Sequence, residues 1–394
     1  MAHQVSPPFA RESLSREIVR LVGGQGGVHA CMSGLRMAVP LMALQLGHGA
    51  AAVGLLLALF GAAQLAISIP AGRMADRHGL KRPMHISMVA AFAGAAVAAA
   101  WPTYPGLCAT ALLEGGAVAL AVIALQRHAG QIAHGADELR RVFSWLSFTP
   151  AAANFLGPFA AGLVIDALGY RAAFLLLGVG PVVSWAFLRG ATALPASAGP
   201  SRSGAGGEGL WRDPAVRSVL LMNGFVSATW DIHGVMVPLL GHARGLNASA
   251  IGSILASFAI AAAAVRLLVP WLGRHFREWV LMASALTAAC VLLAVYPLMR
   301  TALAMGACSM LMGMTIGGVQ PMVMSLLHQI TPPHRHGQVI ALRMMMINAS
   351  SISMPLMAGA AGGIVGAAGV FWIMAASLLV GVRVAFDLRR MPPP

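Results

Sequence analysis

Apolar runs separated by short polar segments follow one another along most of the chain. Most of these runs reach about 20 residues, the length at which a helix crosses the hydrocarbon core of a membrane. They do not alternate between apolar and polar residues with the period of two that strands of a membrane barrel show. We therefore predict an all-α membrane protein with twelve transmembrane helices, placed at about 18–46, 50–71, 84–101, 105–127, 143–165, 171–189, 217–243, 250–272, 279–297, 301–327, 338–363 and 367–387.

The segment between the sixth and seventh predicted spans has a different composition. It contains ATALPASAGPSRSGAGGEGLWRDPA, in which Gly, Ser, Pro and Ala dominate, as is typical of a flexible linker. The sequence thus predicts an N-terminal bundle of six helices at 1–189, a linker at 190–216 and a C-terminal bundle of six helices at 217–394.

The two predicted bundles resemble each other in sequence. Laying residues 39–60 over 237–258 makes identical residues coincide, among them Val39 and Val237, Pro40 and Pro238, Gly47 and Gly245, Gly54 and Gly252, and Phe60 and Phe258. Laying GPFAAG, from Gly157, over MPLMAG, from Met354, also brings Gly169 onto Gly366. A duplicated unit of six spans explains both agreements, and internal repeats of this kind are common in secondary transporters.

Composition supports the membrane assignment. Of the 394 residues, 58% are hydrophobic and 10% are charged, whereas about a quarter of the residues of a soluble protein are charged. The N-terminal segment mixes acidic residues with arginines and has no short apolar core before a small-residue cleavage site. We therefore expect no removable signal peptide and a first span that stays in the mature chain.

The basic residues predict the orientation of the chain. Most of the 26 Lys and Arg residues fall in the termini and in the loops on one side of the predicted spans, and only Arg171, Arg244 and Arg300 fall on the other. Because basic loops stay cytoplasmic, both termini and the linker are predicted to be cytoplasmic. The formal charge of +14 then serves orientation in the lipid bilayer, and we expect no nucleic-acid partner.

One short loop carries a recognisable motif. The stretch GRMADRHGLKRP, residues 72–83, lies between the second and third predicted spans and resembles the loop signature of the major facilitator superfamily. GPFAAG followed by DALGYRAAF is similar to the fifth and sixth spans of that family. The resemblance implies a secondary transporter that works by alternating access, and we place it in the cytoplasmic membrane of a bacterium. The residues that match the loop signature and are predicted to form a conformational latch are Gly72, Asp76, Arg77, Gly79, Lys81 and Arg82.

In this latch, Asp76 is expected either to accept hydrogen bonds at a helix N-terminus or to pair with arginines of a neighbouring loop, such as Arg140 or Arg141. Such a charged latch holds one conformation closed and releases it in the other. The alternative is that the loop charges only fix the topology. The corresponding loop of the second half, GRHFREW at 273–279, lacks the aspartate, so a latch there is expected to be weaker.

A few ionisable residues lie deep within predicted spans, where charges are costly and usually functional. Counting about 1.5 Å of rise per residue places Arg36 and Glu114 both roughly 13–15 Å below the outer surface, so we predict that they pair. Asp231 and Arg343 also lie at comparable depths and form a second predicted pair. Arg266 lies nearer the cytoplasm, and its role is left open between structure and function.

These residues are the candidates for substrate and proton binding. The planar guanidinium of arginine binds a carboxylate through two hydrogen bonds, which favours a small organic anion as substrate. Burial disfavours the charged form of a carboxylate, so such a group can exchange protons and couple transport to the proton gradient. In one scheme, the substrate and Glu114 compete for Arg36. The alternative is that both pairs are permanent structural ion pairs.

Other function classes receive less support from the sequence. A proton-coupled exporter of drugs or other amphiphiles is the rival within the transporter class, and a non-transporting membrane sensor or scaffold is the alternative from another class. We find no nucleophile, base or paired Cys and His spacing of an enzyme or metal site, so we predict that the protein is not an enzyme. We expect a monomer that binds protons and a small molecule and needs no cofactor or metal ion.

Overall fold

A computed structural model describes residues 8–133, 136–191, 208–275, 278–332 and 335–387. Within these ranges every regular element is a helix. Most of the predicted linker, residues 192–207, lies outside the described residues. The helices are α1 (Pro8–Gln45), α2 (Ala50–His78), α3 (Lys81–Ala100), α4 (Tyr104–Ile132), α5 (Ala136–Leu168), α6 (Tyr170–Leu188), α7 (Glu208–Trp211), α8 (Pro214–Ala243), α9 (Ala248–His275), α10 (Glu278–Val295), α11 (Ala302–Gly317), α12 (Val319–Ile330) and α13 (His336–Asp387), with a 3-10 turn at Tyr296–Leu298.

Ten segments of the described residues are long and apolar enough to cross a membrane. The sequence predicts twelve spans, and the two counts differ at two places. Helix α8 has 30 residues but is not among the ten segments. Helix α13 counts once, although Gly366, with φ of 72° and ψ of 170°, interrupts its helical backbone. The described chain is therefore an all-helical protein with ten candidate membrane spans.

The internal repeat is visible in the backbone. Gly47 and Gly245, which the sequence comparison paired, end the turns after α1 and α8 with φ of 85° and 70°. Gly169 and Gly366, the second pair, have φ of 84° and 72°. Glycine adopts these left-handed conformations without the steric cost that a side chain brings. Both pairs of aligned glycines thus make the same kind of turn.

The described helices group into two compact units. The first contains α1 up to Ala38, α2 from Ala62, and α3 to α6. The second contains α7 to α13 together with Val39–Gly61, which comprises the end of α1 and the beginning of α2. Within this second unit, Gly54 lies so close to α13 that a β-carbon on it would be 2.3 Å from the carbonyl oxygen of Pro355. Close backbone contact therefore joins this segment to α13.

Glycines of α1 hold the first unit together in a similar way. A β-carbon on Gly27 would lie 2.0 Å from the carbonyl oxygen of Gly180 in α6, and one on Gly23 would overlap the ring of Phe187. The backbone N–H of Val28 also donates to the hydroxyl of Ser184 over 3.0 Å. The interpretation that GGQGG at 23–27 permits close helix packing is confirmed.

Candidate functional site

Glu114 is fully buried near the middle of α4. The residues that follow it, from Gly115 to Ala121, are small or apolar and also buried, so this stretch is surrounded by protein on all sides. The thiol of Cys31 in α1 donates to Glu114 Oε1 over 3.3 Å. Glu114 Oε2 is buried and has no hydrogen-bond partner among the described residues. The carboxylate is thus half satisfied, and by a weak donor.

The structure gives room for this carboxylate at one glycine. A β-carbon on Gly94 of α3 would lie 3.1 Å from Glu114 Oε1. The hydroxyl of Thr110, one turn before Glu114, donates to the carbonyl oxygen of the same Gly94 over 2.9 Å. Thr110 and Glu114, both on α4, therefore contact the α3 backbone at the same residue, Gly94.

Arg36 lies on α1, as Cys31 does, and its side chain is partly exposed. The residue of α1 that contacts Glu114 is Cys31 and not Arg36. The predicted pair of Arg36 and Glu114 is therefore not formed in this structure, because the two residues share a depth but α1 turns a different side chain toward α4.

Asp231 of α8 is also buried, with 6% of its surface exposed. The hydroxyl of Ser350 in α13 donates to Asp231 Oδ2 over 2.7 Å. The hydroxyl of Ser351 lies 3.4 Å from both carboxylate oxygens. Two hydroxyls thus supply hydrogen bonds to this carboxylate.

Arg343 lies two helical turns before Ser350 on the same face of α13. Its Nε donates to Asn223 Oδ1 over 3.1 Å, and its Nη2 donates to Gln320 Oε1. The predicted pair of Asp231 and Arg343 is therefore replaced by two separate arrangements, in which the carboxylate binds hydroxyls and the guanidinium binds amides. The partners of Arg343 are both uncharged.

Arg266 of α9 also has an uncharged partner. Its Nε donates to the carbonyl oxygen of Gly317, the last residue of α11, over 3.3 Å. The last carbonyls of a helix lack partners within the helix and carry partial negative charge, so a guanidinium is favoured there. This contact supports a structural role for Arg266.

A buried polar row in the second unit was missed by the sequence reasoning. His233 Nε2 lies 2.9 Å from Ser309 Oγ, and Ser309 Oγ lies 2.8 Å from the hydroxyl of Tyr296. The imidazole of His233 is stacked on Phe258 with ring centroids 4.1 Å apart. No spacing in the sequence links His233 to Ser309 or Tyr296.

The predicted latch loop finds a different partner. Asp76 Oδ1 accepts a hydrogen bond from Arg127 Nε of α4 over 2.8 Å, and Arg127 Nη1 donates to Gln131. Arg141, one of the two expected partners, instead contacts the hydroxyl of Ser15. The side chain of Arg140 lies outside the described residues. Arg127 was overlooked because the sequence placed it at the end of a span rather than in a loop.

The remaining latch residues lie near Asp76 along the chain, at the end of α2 and the start of α3. Gly79 has φ of 66° and closes the turn between α2 and α3. Gly72 and Arg77 lie in the last two turns of α2, and Lys81 and Arg82 begin α3 with exposed side chains. The basic residues of the motif thus lie at the end of the helical pair where Asp76 binds α4.

A second charged cluster in the first unit was also missed. Glu17 Oε1 lies 3.4 Å from His128 Nε2, and Glu17 Oε2 lies 3.2 Å from Arg20 Nη1. Both Glu17 and His128 are buried. Glu17 falls just before the predicted start of the first span, so it was not counted among the intramembrane charges. The described residues contain no group of three or more His, Cys, Asp or Glu side chains placed to hold a metal ion.

The helical fold agrees with comparisons to known proteins. The sequence profile of the Major Facilitator Superfamily matches residues 21–228 and 219–394. The chain therefore belongs to this superfamily, and it is a multi-pass membrane protein. No match among curated proteins reached significance.

Solved structures of membrane transporters share the fold. One is a POT family transporter in complex with a thioalcohol-conjugated peptide, with 12% identity, a TM-score of 0.77, and coverage of 95% of this chain and 96% of that one. A second is the nucleoside transporter NupG, with 13% identity, a TM-score of 0.73, and coverage of 94% and 99%. A third is a bacterial homolog of the human lysosomal transporter Spinster, inward-facing and occupied, with 12% identity, a TM-score of 0.77, and coverage of 98% of both chains.

Proposed function

We propose that this protein is a proton-coupled secondary transporter that moves a small organic anion across the cytoplasmic membrane of a bacterium by alternating access. In this proposal the chain crosses the membrane twelve times, in two six-helix bundles joined by the 190–216 linker, with both termini in the cytoplasm. The division of α13 at Gly366 and the length of α8 support this count.

The observation that carries the choice of substrate is the environment of Arg343. Its guanidinium is held by Asn223 and Gln320, whose amide oxygens orient it without cancelling its charge. A cation fixed in this way within a membrane segment attracts an anion. Because no carboxylate neutralises its charge, it can still form a charge-assisted hydrogen bond with that anion. A carboxylate that approaches can accept two hydrogen bonds from the planar guanidinium.

Glu114 is the candidate for proton coupling. One carboxylate oxygen accepts a hydrogen bond from a thiol, and the other is buried with no hydrogen-bond partner in the described part of the chain. A buried polar atom in this state costs free energy, and a bound proton changes that cost directly. Proton binding at Glu114 and anion binding at Arg343 then favour the same step of the cycle.

This arrangement replaces the direct competition for Arg36 that the sequence suggested. Cys31 and Arg36 lie on the same helix, α1, so a movement of the Glu114 side chain acts on Arg36 through that helix. Arg36 stays a candidate substrate residue, as a second guanidinium within a membrane segment. Arg266 is less suited to that role because it already binds the end of α11.

The test uses the purified protein in proteoliposomes with a pH-sensitive dye inside. A panel of small carboxylates and a panel of cationic amphiphiles are added in turn to the wild type, to Arg343→Gln and to Arg300→Gln. Arg300 is an exposed arginine between α10 and α11, and it provides the matched control for loss of one positive charge. We expect a carboxylate to drive proton movement in the wild type and in Arg300→Gln but not in Arg343→Gln.

Other outcomes separate the alternatives. Proton movement driven only by cationic amphiphiles replaces the anion proposal with a drug exporter. Equal loss in both arginine variants contradicts a specific role for Arg343. A protein that is folded but silent toward both panels favours a sensor or scaffold.

A further inference from the structure

A groove between α3 and α6 opens on the outside of the first unit. It forms a cavity of about 510 Å³, lined by His85, Val89 and Phe92 of α3 and by Pro181, Val182 and Trp185 of α6. This volume lies within the range of roughly 300–1,000 Å³ that small-molecule sites occupy. None of these residues belongs to the substrate, proton or latch residues described above.

The groove begins where the two helices are in close contact. A β-carbon on Gly178 would lie 3.3 Å from the β-carbon of Ala95. Small residues allow the helix backbones to approach at this point. One turn further along, Phe92 and Pro181 begin the wall of the cavity.

The walls of the groove are apolar and accessible. Val89 is 69% exposed, and Phe92 and Val182 are each 51% exposed. Both helices are candidate membrane spans, so these side chains face either hydrocarbon or another membrane component. The wall is therefore suited to an apolar chain.

One end of the groove is basic. The guanidinium of Arg189 lies 4.8 Å from the centre of the Trp185 ring. Lys81 lies one helical turn before His85, and Lys81, Arg82 and Arg189 are all exposed. Neither α3 nor α6 contains Asp or Glu. Along the groove, the apolar residues are followed by the imidazole of His85 and the indole of Trp185, and then by a cluster of cations.

This order of groups matches one class of occupant. An anionic phospholipid has apolar chains, a polar glycerol region and a negatively charged phosphate in the same sequence. Tryptophan prefers the boundary between hydrocarbon and head groups, and arginine binds phosphate through its planar fork. A second copy of this chain docked symmetrically would instead bring two sets of uncompensated cations together.

We propose that the groove between α3 and α6 is a binding site for an anionic phospholipid, whose acyl chain lies along Val89, Phe92 and Val182 and whose phosphate is bound by Arg189, His85 and Lys81. The stacking of Arg189 on Trp185 orients the guanidinium before the lipid arrives. Lys81 also belongs to the latch motif, but Arg189 and the residues that line the groove do not. Lipid binding is measured without transport, so the inference does not depend on the proposed function.

The test compares two lipids on the full-length protein in detergent. Phosphatidylglycerol or phosphatidylcholine with the same acyl chains is titrated, and retained lipids are counted by native mass spectrometry while the melting temperature is followed. We expect one phosphatidylglycerol per chain at low lipid and a larger rise in melting temperature than phosphatidylcholine gives. Glycerol 3-phosphate, which has no acyl chain, is expected not to compete.

Two pairs of variants locate the site. Arg189→Gln combined with Lys81→Gln is expected to weaken phosphatidylglycerol binding roughly 10- to 30-fold, since each cation near an anionic lipid contributes about 1 kcal/mol. The control, Arg171→Gln combined with Arg300→Gln, removes two exposed cations elsewhere. Val89→Trp fills the groove and is expected to abolish the retained lipid, whereas Val291→Trp, at a valine that is 57% exposed on α10, leaves it.

Several results would overturn the proposal. Equal retention of the two lipids would remove the role of the net negative charge, because both head groups contain a phosphate. Equal loss in the two double variants would show unspecific charge attraction. Competition by glycerol 3-phosphate would show a phosphate site that does not use the groove. If Val89→Trp does not fold, the charge variants and the lipid count still decide the matter.

Discussion

Glu114 and Asp231, the buried carboxylates of the candidate site, lie in contrasting surroundings. Asp231 receives hydrogen bonds from two serine hydroxyls of α13, one of them at 2.7 Å. Glu114 receives one thiol at 3.3 Å, and its second oxygen has no hydrogen-bond partner among the described residues. A carboxylate that has its hydrogen bonds is held in place, whereas one that lacks them gains most from a new partner.

The two arginines that were predicted to pair with these carboxylates also differ in their surroundings. Arg343 is oriented by two amides within hydrogen-bonding distance, although it was predicted to bind Asp231. Arg36 lies on the helix that supplies Cys31 to Glu114. In the proposed mechanism, Glu114 exchanges a ligand during the cycle, while the hydrogen bonds of Asp231 to Ser350 and Ser351 join α8 to α13.

The sharpest test of this contrast removes each charge in turn. Glu114→Gln is expected to lower substrate-driven proton movement by roughly 100-fold or more, the scale on which proton-transfer groups contribute. Asp231→Asn makes the same change in charge and shape and is expected to keep proton movement, because serine hydroxyls can also donate to an amide oxygen. Dye-monitored proton flux in proteoliposomes measures both, and equal losses would contradict the division of roles.

A second test breaks the hydrogen bonds of Asp231. Ser350→Ala combined with Ser351→Ala leaves the carboxylate buried with fewer donors and is expected to lower the free energy of unfolding by about 1–3 kcal/mol. Cys31→Ala is expected to cost less than about 1 kcal/mol, because a thiol is a weak donor. Denaturant titration in mixed micelles gives both values. A larger loss at Cys31 would show that Glu114 is the structural carboxylate.

The smallest effect comes from making Glu114 resemble Asp231. Cys31→Ser replaces the thiol by a stronger donor at the same position and is expected to raise the free energy of unfolding by about 0.5–1.5 kcal/mol. The same change is expected to slow proton-coupled transport a few-fold, since the carboxylate gives up a better partner. Faster transport in Cys31→Ser would contradict the link between poor hydrogen bonding and proton exchange.

Much of the fold was predictable because the hydropathy of a segment and the backbone freedom of a glycine are properties of the local sequence. The all-α class, the repeat that pairs Gly47 with Gly245, and the close packing of GGQGG on α6 all follow from composition and backbone freedom. The sequence predicts a span at 217–243. The structure has the helix α8 there, but α8 is not among the ten apolar segments, and its buried residues include Asn223, Asp231 and His233.

The site was predictable in its members but not in its contacts. Counting residues along a helix gives the depth of Glu114 or Asp231, but not the direction in which each side chain points or which helix lies beside it. Cys31 is the partner of Glu114, and Ser350 is the partner of Asp231. Both contacts depend on how each helix is rotated about its axis, which no spacing in the sequence reveals. Arg127 was missed as the partner of Asp76 because it lies on the helix α4 rather than in a loop.

The contact between Cys31 and Glu114 also provides a natural chemical reporter. Cys31 is 1% exposed, and its sulfur lies against the carboxylate that we assign to protons. If the proposed cycle admits water to Glu114, we expect a small water-soluble thiol reagent to reach Cys31 as well. In a variant that keeps Cys31 as the single cysteine of the four, the rate of alkylation would measure how often water gains access to the buried carboxylate.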